Sequence, residues 1–531
     1  MTQSLHDICQ WIRAAASGSE VASGPASGPV SSPALRLASD SRRIRRGDVF
    51  FAYPGEAADG RDFIRSAIDK GAAAIVFEER GFSWDEALDV PHLAVSGLKA
   101  KAGPIAHAFY GQPDAAMFTV GVTGTNGKTS CALWTAQALG RLGESAGDAA
   151  AVIGTLGVGL VRGRLEPEFD VTGYTTPDAV LLAGELAKLR DAGASALAIE
   201  VSSIGLVEQR TAGMHFDVAL FTNLTRDHLD YHGDMASYEA AKRELFAWPN
   251  LKTAVVNLDD PAGVRIVHTL RAERSEVAVT GYTLRPEAEQ PAPEGVSVLR
   301  AMNLRSRPAG AEFLVESPWG EALAKTKLVG HFNVSNALAV LGALLARGIE
   351  LRAALDAIEA LSPAPGRMQQ VGGQDAPLVV IDYAHTPDAL EKTLGALRQV
   401  ARERGGQLWC VFGCGGDRDP GKRPQMGRIA QMADQVVVTS DNPRSEAPRA
   451  IIDQIVAGME TGAEAPRSQA IEDRATAILA AVKQAAKADV ILLAGKGHEP
   501  YQEIKGRKMP FSDADHAALA LSARLTMMRT N

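Results

Sequence analysis

Cysteine is scarce in this chain, and no apolar run is long. Four cysteines among 531 residues cannot form the disulfide framework of a small secreted domain. Cys410 and Cys414 lack the second pair that would indicate a zinc site. The longest apolar stretch, residues 337–346, has about half the length of a membrane-spanning helix. We therefore expect a protein of the reducing cytoplasm with no membrane span.

An excess of positive charge is also missing. The chain has 55 Lys and Arg against 63 Asp and Glu, a formal net charge of −8, and only 5% aromatic residues. This balance disfavours nucleic-acid binding, although it leaves room for local basic pockets that hold a phosphate-bearing small molecule. Hydrophobic residues (46%) and charged residues (22%) are at globular levels, and the length suggests about three domains.

Short apolar runs alternate with helical patterns along the chain. This alternation predicts an α/β fold with parallel sheets that helices cover on both faces. Most of the predicted strands lead directly into polar, glycine-rich or charged loops, and such sheets bind ligands at the carboxyl ends of their strands. The clearest predicted strands are 117–124, 196–203, 218–225, 253–259, 377–385, 407–416, 435–443 and 490–499.

Two segments are typical of domain boundaries. Gly111-Gln112-Pro113 precedes the first strong strand, and residues 361–366, which include two prolines, break a helical pattern. Two segments rich in Gly, Ser or Pro, 17–34 and 285–295, are expected to be loops. The expected domains are N-terminal 1–113, central 114–362 and C-terminal 363–531.

The clearest motif is a glycine-rich loop between a predicted strand and a predicted helix. Residues 121–130 read Gly-Val-Thr-Gly-Thr-Asn-Gly-Lys-Thr-Ser, and the glycines permit a tight turn that aims backbone N–H groups at phosphate. Lys128 would reach the terminal phosphates of a nucleotide, and the hydroxyl of Thr129 would help to hold Mg²⁺. The strict motif needs glycine where this chain has Val122, so a glycine-rich turn with a solvated lysine stays open.

Several ionisable residues stand where the predicted sheet would place a site. Glu200 lies inside an apolar strand, where a carboxylate needs hydrogen bonds or a cation; Mg²⁺ bound to ATP or a structural ion pair would serve. Asp227 and His228 follow another strand, and His228 would ligate a metal as neutral imidazole; Asp227 as a helix cap is the alternative. On sequence alone, Lys242 is best interpreted as a helical lysine paired with Glu239.

Short motifs occur in a fixed order along nearly the whole chain. They are DSR (40–42), GRDF (60–63), TGTNGKT (123–129), TTP (175–177), EVSS (200–203), DH (227–228), GHFN (330–333), GR (366–367), DYAH (382–385), GDRD (416–419), DNPR (441–444) and GKGHE (495–499). In this set and order the chain resembles the Mur ligases, the ATP-dependent amino-acid ligases of peptidoglycan synthesis. Val122 in the phosphate loop is that family's own variant.

The resemblance implies an activity, a fold and a set of small-molecule partners. A ligase of this kind would join meso-2,6-diaminopimelate to the D-Glu γ-carboxylate of UDP-N-acetylmuramoyl-L-Ala-D-Glu through an acyl phosphate, with release of ADP and phosphate. Its fold would combine an N-terminal domain for the UDP substrate, a central P-loop ATPase-like parallel sheet and a C-terminal Rossmann-like domain for the amino acid. We expect a monomer that uses ATP and two Mg²⁺ ions.

The same resemblance assigns residues to the chemistry. The residues implied in catalysis are Lys128, Glu200, His228 and Lys242. Those implied in ATP binding are Gly124, Thr125, Asn126, Gly127, Lys128, Thr129, Ser130, Asn336, Arg367 and Asp382. Those implied in holding Mg²⁺ are Thr129, Glu200, His228 and Lys242. Lys242 would act as a carbamate formed with CO₂, which reverses its interpretation from sequence alone.

Two further groups are implied for the other substrates. Those implied for UDP-N-acetylmuramoyl-dipeptide are Ser39, Ser41, Thr175, Thr176, Ser202, Glu208 and Arg210. Those implied for diaminopimelate are Arg418, Asp441, Asn442, Pro443, Arg444, Gly495 and Glu499. The chain departs from the family pattern at Tyr174, Ile204 and Glu208.

Selectivity for the amino acid would depend on Arg444. The tetrapeptide 441–444 resembles the signature of the ligases that add diaminopimelate, and an arginine binds a carboxylate through two charge-assisted hydrogen bonds. Lysine lacks the distal carboxylate of diaminopimelate and would leave the guanidinium unpaired. The alternatives are a related ligase that adds L-lysine, a folylpolyglutamate synthetase-like enzyme, and a P-loop nucleotide switch with no ligase activity.

Overall fold

The structure is a computed structural model. The structure describes residues 5–17, 35–55, 58–144, 147–163, 167–307, 310–373, 375–460, 462 and 465–530. The predicted loop 17–34 lies outside these residues apart from Ser17. Within them, the strands form sheets of four, eleven, six and two strands.

The N-terminal sheet is parallel, with its strands in chain order. Its elements are α1 (Leu5–Ala16), β1 (Leu37–Ala38), β2 (Val49–Ala52), α2 (Ile64–Asp69), β3 (Ala74–Glu78), β4 (His92–Val95) and α3 (Leu98–Phe109). Strands β2 and β3 are buried along their whole length because both of their faces are apolar. Val180 and Ala183 of the central part complete this core, so the two parts pack together.

The central part is an eleven-stranded sheet with helices on its faces. Its strands are β5 (Phe118–Thr123), β6 (Ala149–Gly154), β7 (Gly157–Val161), β8 (Phe169–Asp170), β9 (Ala194–Glu200), β10 (Val218–Phe221), β11 (Thr253–Asn257), β12 (Ala278–Thr283), β13 (Ser297–Arg307), β14 (Gly310–Ser317) and β15 (Gly320–Thr326). Its helices are α4 (Lys128–Leu142), α5 (Ala179–Asp191), α6 (Ser203–Val207), α7 (Leu229–His232), α8 (Met235–Arg243), α9 (Pro261–Glu273), α10 (His331–Ala346) and α11 (Leu351–Glu359).

The order of the central strands is β15-β14-β13-β12-β11-β10-β5-β9-β6-β7-β8. Strand β5 lies between β10 and β9 and is parallel to both, so the loops that follow these three strands open at one edge. The predicted parallel sheet is confirmed there. Antiparallel strands extend it on both sides, from β13 to β15 and from β6 to β8.

The longest apolar stretch of the sequence belongs to a buried helix. Residues 337–345 of α10 are all buried, because this helix packs between α4 and strands β11 to β13. Because α10 contacts neighbours on every side, residues 337–345 need no polar face, and the helix is not amphipathic. Among the described residues, no helix has the length and apolar character needed to cross a bilayer.

The C-terminal part is a six-stranded sheet with a separate hairpin. Its elements are β16 (Gln369–Gly372), β17 (Leu378–Asp382), α12 (Pro387–Arg404), β18 (Leu408–Phe412), α13 (Lys422–Ala430), β19 (Gln435–Val438), α14 (Pro448–Val456), β20 (Arg467–Ala470), α15 (Arg474–Gln484), β21 (Val490–Ala494), β22 (Tyr501–Ile504), β23 (Arg507–Pro510) and α16 (Asp513–Thr530). The order is β16-β17-β21-β18-β19-β20, parallel except for β16, while β22 and β23 form the hairpin. This is the Rossmann-like arrangement that was expected.

A buried ion pair joins the last two long helices of this part. Arg474 begins α15 and Asp513 begins α16; both side chains are fully buried, and their guanidinium and carboxylate form two hydrogen bonds of 2.8 and 2.7 Å. The guanidinium also donates to the carbonyl of Ala494, at the end of β21. The pair therefore fixes both helices against the sheet edge that carries the neighbouring loops.

Replacing Asp513 with alanine should destabilise the protein strongly, because Arg474 would keep a buried charge without its partner. We expect a loss of about 3–5 kcal/mol in the free energy of unfolding, measured by urea denaturation of the C-terminal transition. The control is Asp356→Ala, which breaks the exposed pair with Arg352 and should cost at most about 1 kcal/mol. Equal effects of the two substitutions would contradict this account.

Candidate active site

The glycine-rich loop joins β5 to α4, as predicted, and adopts a conformation that glycine favours. The φ angles of Gly124 and Gly127 are +147° and +89°, values that L side chains rarely adopt. A Cβ atom on Gly124 would lie 1.8 Å from Thr222 Oγ1, and one on Gly127 would lie 2.7 Å from Asn336 Oδ1. Thr222, just after β10, donates a hydrogen bond of 2.6 Å to the carbonyl of Asn126. The loop is therefore held from the neighbouring strand.

Two lysines donate to one carbonyl oxygen of this loop. Lys128 Nζ lies 2.9 Å from the oxygen of Gly124 and 2.8 Å from that of Thr125, and Lys242 Nζ lies 2.8 Å from the oxygen of Gly124. Lys242 is buried, and its amine stands 4.3 Å from the ring centre of Tyr238. Burial, and then the charge of Lys128, hold the pKa of Lys242 well below its ordinary value. Burial and the neighbouring lysine thus disfavour the protonated form of Lys242.

The pairing of Lys242 with Glu239 that the sequence suggested is wrong. Glu239 pairs instead with Arg265, 2.6 Å away, on the exposed side of α8. In the described part of the chain, no carboxylate lies within ion-pair distance of Lys242. A buried lysine without a counter-ion contributes little to stability, and its perturbed pKa marks it as a candidate for chemistry.

Glu200 ends β9 beside the loop. Its carboxylate accepts hydrogen bonds from the backbone N–H of Thr155 at 2.8 Å and from the Thr155 hydroxyl at 3.3 Å. A Cβ atom on Gly154 would lie 2.2 Å from Glu200 Oε1, so the small residue makes room for the carboxylate. The predicted alternative of a structural ion pair is absent among the described residues. The negative charge of Glu200 opposes the lowering of the Lys128 pKa by desolvation.

Asp227 and His228 stand in the loop after β10. His228 has a left-handed backbone (φ +52°), and its Nε2 atom lies 3.5 Å from Asp227 Oδ2. Desolvation within the cleft, with the charges of Lys128 and Lys242, lowers the pKa of His228 although Asp227 opposes this. The imidazole is therefore neutral near pH 7 and able to ligate a metal. The alternative role of Asp227 as a helix cap is wrong, because α7 has no side-chain cap.

The donor set suits a magnesium ion that arrives with a nucleotide. Among the described residues, no three His, Cys, Asp or Glu side chains converge as a ready-made metal site. Mg²⁺ is commonly held by one or two carboxylates together with substrate phosphates. Glu200 offers a carboxylate with few partners, and the hydroxyl of Thr129 follows the phosphate loop. This hydroxyl accepts a hydrogen bond of 3.1 Å from Arg367.

A cavity of about 700 Å³ lies between the central and C-terminal parts. Apolar side chains, including Phe332, form much of one wall. Arg367 packs 4.4 Å over the ring of Tyr383, and burial raises the pKa of Asp382, at the end of β17. The residues predicted to bind ATP that line this cavity are Asn126, Gly127, Ser130, Asn336, Arg367 and Asp382.

A larger cavity, of about 1510 Å³, lies between the N-terminal sheet and α5. Ser39, Ser41, Glu208 and Arg210 line it. The carboxylate of Glu208 is already bound, by Lys99 at 2.7 Å and by the hydroxyl of Tyr231 at 2.9 Å. The Glu208 carboxylate therefore holds Lys99 in place and is not free to bind a ligand.

The other three residues predicted for the UDP substrate lie deeper, next to Glu200. The hydroxyl of Thr176 donates to the carbonyl of Glu200 at 2.9 Å and lies 3.1 Å from the hydroxyl of Ser202. The hydroxyl of Thr175 lies 3.1 Å from that of Thr155, which contacts the Glu200 carboxylate. The predicted group therefore spans from the large cavity to the phosphate loop.

The predicted amino-acid residues come together at the carboxyl ends of β18, β19 and β21. Asp441 is buried, and its Oδ1 atom has no hydrogen-bond partner among the described residues; Lys496 Nζ lies 3.7 Å away. A Cβ atom on Gly495 would lie 2.5 Å from Asp441 Oδ2. Asn442 donates to Glu499 at 2.7 Å, and Lys496 donates to both of these residues at 3.1 Å.

Arg444 and Arg418 flank Gly415 at the same edge. Arg444 has a left-handed backbone (φ +51°), and its Nη1 atom donates to the carbonyl of Gly416 at 2.8 Å. Its Nε atom lies 3.4 Å from a carboxylate oxygen of Glu503, on β22. About a quarter of the Arg444 side chain is exposed, so a ligand is able to reach the guanidinium.

Hydrogen bonds and ion pairs between described residues connect the central and C-terminal sites. Arg367 donates to Thr129, as described above. Asn126 donates to a carboxylate oxygen of Asp388 at 3.1 Å, and Arg226 lies 3.3 Å from Asp419. The edge that carries the phosphate loop therefore faces the edge that carries the amino-acid residues.

Known domains and relatives match nearly the whole chain. Residues 36–110, 122–344 and 366–497 match, respectively, the Mur ligase family catalytic domain, the Mur ligase middle domain and the Mur ligase glutamate ligase domain. The chain is 61% identical over 493 residues to the UDP-N-acetylmuramoyl-L-alanyl-D-glutamate--2,6-diaminopimelate ligase of Janthinobacterium sp. (strain Marseille), which covers 93% of this chain and 95% of the relative. The chain belongs to the Mur ligase family.

Other Mur ligases agree with this assignment. The ligase of the same name from Ralstonia nicotianae is 52% identical and covers 92% of this chain and 93% of its own length. A solved structure of a UDP-N-acetylmuramoyl-L-alanyl-D-glutamate--2,6-diaminopimelate ligase is 34% identical, with a TM-score of 0.63, and covers 95% of this chain and all of its own. MurF from Acinetobacter baumannii shares the fold at 17% identity and a TM-score of 0.61. Mur ligases are ATP-dependent, so this chain is an ATP-dependent ligase.

Sequence analysis missed two groups of this Mur ligase that border the predicted sites. Lys496 stands inside the GKGHE motif but was not assigned, although it is fully buried among the amino-acid residues. The run Ser41-Arg-Arg-Ile-Arg-Arg46 places four arginines on the wall of the larger cavity. Both signals were visible in the sequence, as a lysine between two glycines and as a local basic run.

Proposed function

We propose that this Mur ligase joins meso-2,6-diaminopimelate to the D-Glu γ-carboxylate of UDP-N-acetylmuramoyl-L-Ala-D-Glu, with ATP as the energy source. The names of its relatives support this substrate pair. The observation that carries the proposal is the contact between two sheet edges. The central edge, with the phosphate loop and Glu200, meets the C-terminal edge, with Arg418 and Arg444, through the pairs Asn126–Asp388 and Arg226–Asp419. The N-terminal residues 1–113 would hold the UDP substrate, 114–362 ATP and 363–531 the amino acid.

Two chemical steps would follow in this cleft. A γ-carboxylate oxygen attacks the terminal phosphorus of ATP, the bond to ADP breaks, and an acyl phosphate forms. The amine nitrogen of diaminopimelate then attacks the acyl carbon, the amine loses a proton, and phosphate leaves. Facing sheet edges would hold the reacting groups together and exclude water, which would otherwise hydrolyse the acyl phosphate.

Repulsion between the carboxylate and the triphosphate is the main obstacle in the first step. Lys128 and the backbone N–H groups of the phosphate loop would offset it, as electrostatic stabilisers of transferred phosphate do. Mg²⁺, when bound, would supply further positive charge between the two anions. Thr129, Glu200 and His228 would hold it, together with Lys242 as a carbamate.

The surroundings of Lys242 support its carbamylation. Only a neutral amine attacks CO₂, and this amine is buried with a strongly lowered pKa. The attack forms an N–C bond and releases one proton, so a neutral amine becomes an anion. Such an anion would attract the side chain of Lys128, which donates to the same carbonyl of Gly124, and would add an oxygen ligand for Mg²⁺.

In the amino-acid site, each charged end of diaminopimelate would find a partner. Arg444 and Arg418 would bind the distal carboxylate. The buried Asp441, whose Oδ1 atom lacks a hydrogen-bond partner among the described residues, would accept from an ammonium group, and Glu499 lies beside it. Lysine would leave the two guanidinium groups without a carboxylate, so the site should discriminate against it.

Phosphate release tests the proposed reaction directly. The purified protein is given Mg-ATP and UDP-N-acetylmuramoyl-L-Ala-D-Glu, in parallel with meso-diaminopimelate, with L-lysine and with no amino acid. Because lysine leaves the arginines unpaired, we expect release with diaminopimelate to exceed release with lysine by about 100-fold or more. Equal use of lysine would contradict the role of Arg444, and release that needs neither substrate would indicate a nucleotide switch.

Removing dissolved CO₂ should lower the activity, and added bicarbonate should restore it, if Lys242 acts as a carbamate. The amine of Lys242 is neutral above its lowered pKa and protonated below it. Carbamylation, and with it the activity, should therefore extend to lower pH than an ordinary lysine allows and fall as the pH drops through the lowered pKa. The measurement is the initial rate against pH in degassed and in bicarbonate buffers.

The matched variants are Lys242→Ala and Lys252→Ala. The first should lose activity by about 100-fold or more and no longer respond to bicarbonate, whereas the second removes a largely exposed lysine that pairs with Asp217 outside the cleft. A Lys242→Ala protein with full activity would rule out the carbamate. So would a wild-type rate that is indifferent to CO₂.

A further inference from the structure

The loop that carries Arg444 is paired with the hairpin of β22 and β23. The backbone N–H of Arg444 donates to the carbonyl of Glu503 at 3.0 Å, and the N–H of Lys505 donates to the carbonyl of Arg444 at 2.7 Å. These two bonds join Arg444 to β22 as a short extra strand. They also hold it in its left-handed conformation, which is unfavourable for an arginine.

Two side-chain contacts extend this pairing along the loop. Gln502 donates to the carbonyl of Asp441 at 2.6 Å, and the N–H of Glu503 donates to the side-chain oxygen of Asn442 at 2.9 Å. The hairpin therefore contacts three of the four residues of the DNPR segment.

Glu503 also contacts the guanidinium of Arg444. Its carboxylate lies 3.4 Å from Nε, while Nη1 donates to the carbonyl of Gly416 at 2.8 Å. Within the described part of the chain, these are the hydrogen-bond and ion-pair partners of the guanidinium, so the Nη2 atom stays available for a ligand. Two fixed contacts set the plane of the group, and an arginine binds a carboxylate well only in the correct plane.

We propose that Glu503 is a positioning residue that sets the selectivity of this enzyme for an amino acid with a second carboxylate. It does so through Arg444 and does not touch the reacting atoms. Without the Glu503 charge, the guanidinium keeps a single side-chain hydrogen bond and regains rotamer freedom, which a bound carboxylate must then remove. Lysine presents no distal carboxylate, so its use should not change. This inference rests on the proposed function.

The test is Glu503→Gln, which keeps the size of the side chain and both backbone hydrogen bonds but removes the charge. We expect the KM for diaminopimelate to rise about tenfold, with kcat and the KM for ATP within about twofold of wild type. The preference for diaminopimelate over lysine should fall by the same factor. The matched control is Arg507→Gln, an exposed change of charge in the same hairpin, which should alter none of these values.

A double variant separates positioning from a general structural role. In an Arg444→Ala background, Glu503→Gln should cause no further rise in KM, because the group through which it acts is gone. Glu503→Asp, which keeps the charge at a shorter reach, should recover part of the loss. If the Glu503→Gln protein melts well below the wild type, the KM values of the Glu503→Asp protein and of the double variant test the proposal instead.

Three outcomes would overturn the inference. One is a wild-type KM in Glu503→Gln, another is a loss of kcat with both amino acids, and the third is an additive effect in the double variant. A wild-type enzyme that does not use diaminopimelate would instead refute the proposed function. The two failures are therefore distinguishable in one set of assays.

Discussion

Two lysine side chains that share one carbonyl oxygen are the constraint around which the central site is arranged. Lys128 and Lys242 both donate to Gly124, and two adjacent ammonium groups in a buried place repel each other. Burial, and then the charge of Lys128, hold the pKa of Lys242 well below its ordinary value, and burial also lowers the pKa of Lys128. The surroundings of the phosphate loop thus oppose two ammonium groups side by side.

The residues around the two lysines come from distant parts of the chain, and the strand order of the central sheet brings them together. Glu200 ends β9, whereas Asp227 and His228 lie in the loop after β10, and both strands neighbour β5 and are parallel to it. The C-terminal sheet adds Arg367, whose hydrogen bond to Thr129 bridges the two sheets. Because Glu200, Asp227 and His228 lie at or after the carboxyl ends of parallel strands, one architecture brings acidic and neutral groups next to the phosphate loop.

Much of this arrangement was predictable from sequence, and the parts that were not have physical reasons. The buried central strands and the phosphate loop were found because continuous apolar runs and glycine spacing are local signals. The antiparallel strands β14 and β15 were missed because neither is a continuous apolar run, and most of β15, at the sheet edge, is exposed. The surroundings of Lys242 depend on a contact more than a hundred residues away, so local spacing favoured Glu239 wrongly.

The central claim is that the cleft brings the γ-carboxylate of the UDP substrate to the terminal phosphate of ATP. It can be tested with a substrate whose γ-carboxylate oxygens carry a heavy-oxygen label, followed by mass analysis of the released phosphate. An acyl phosphate leaves one labelled oxygen in each phosphate, and this is the predicted result. Phosphate without the label would show that water attacks ATP, which would contradict the proposed ligation.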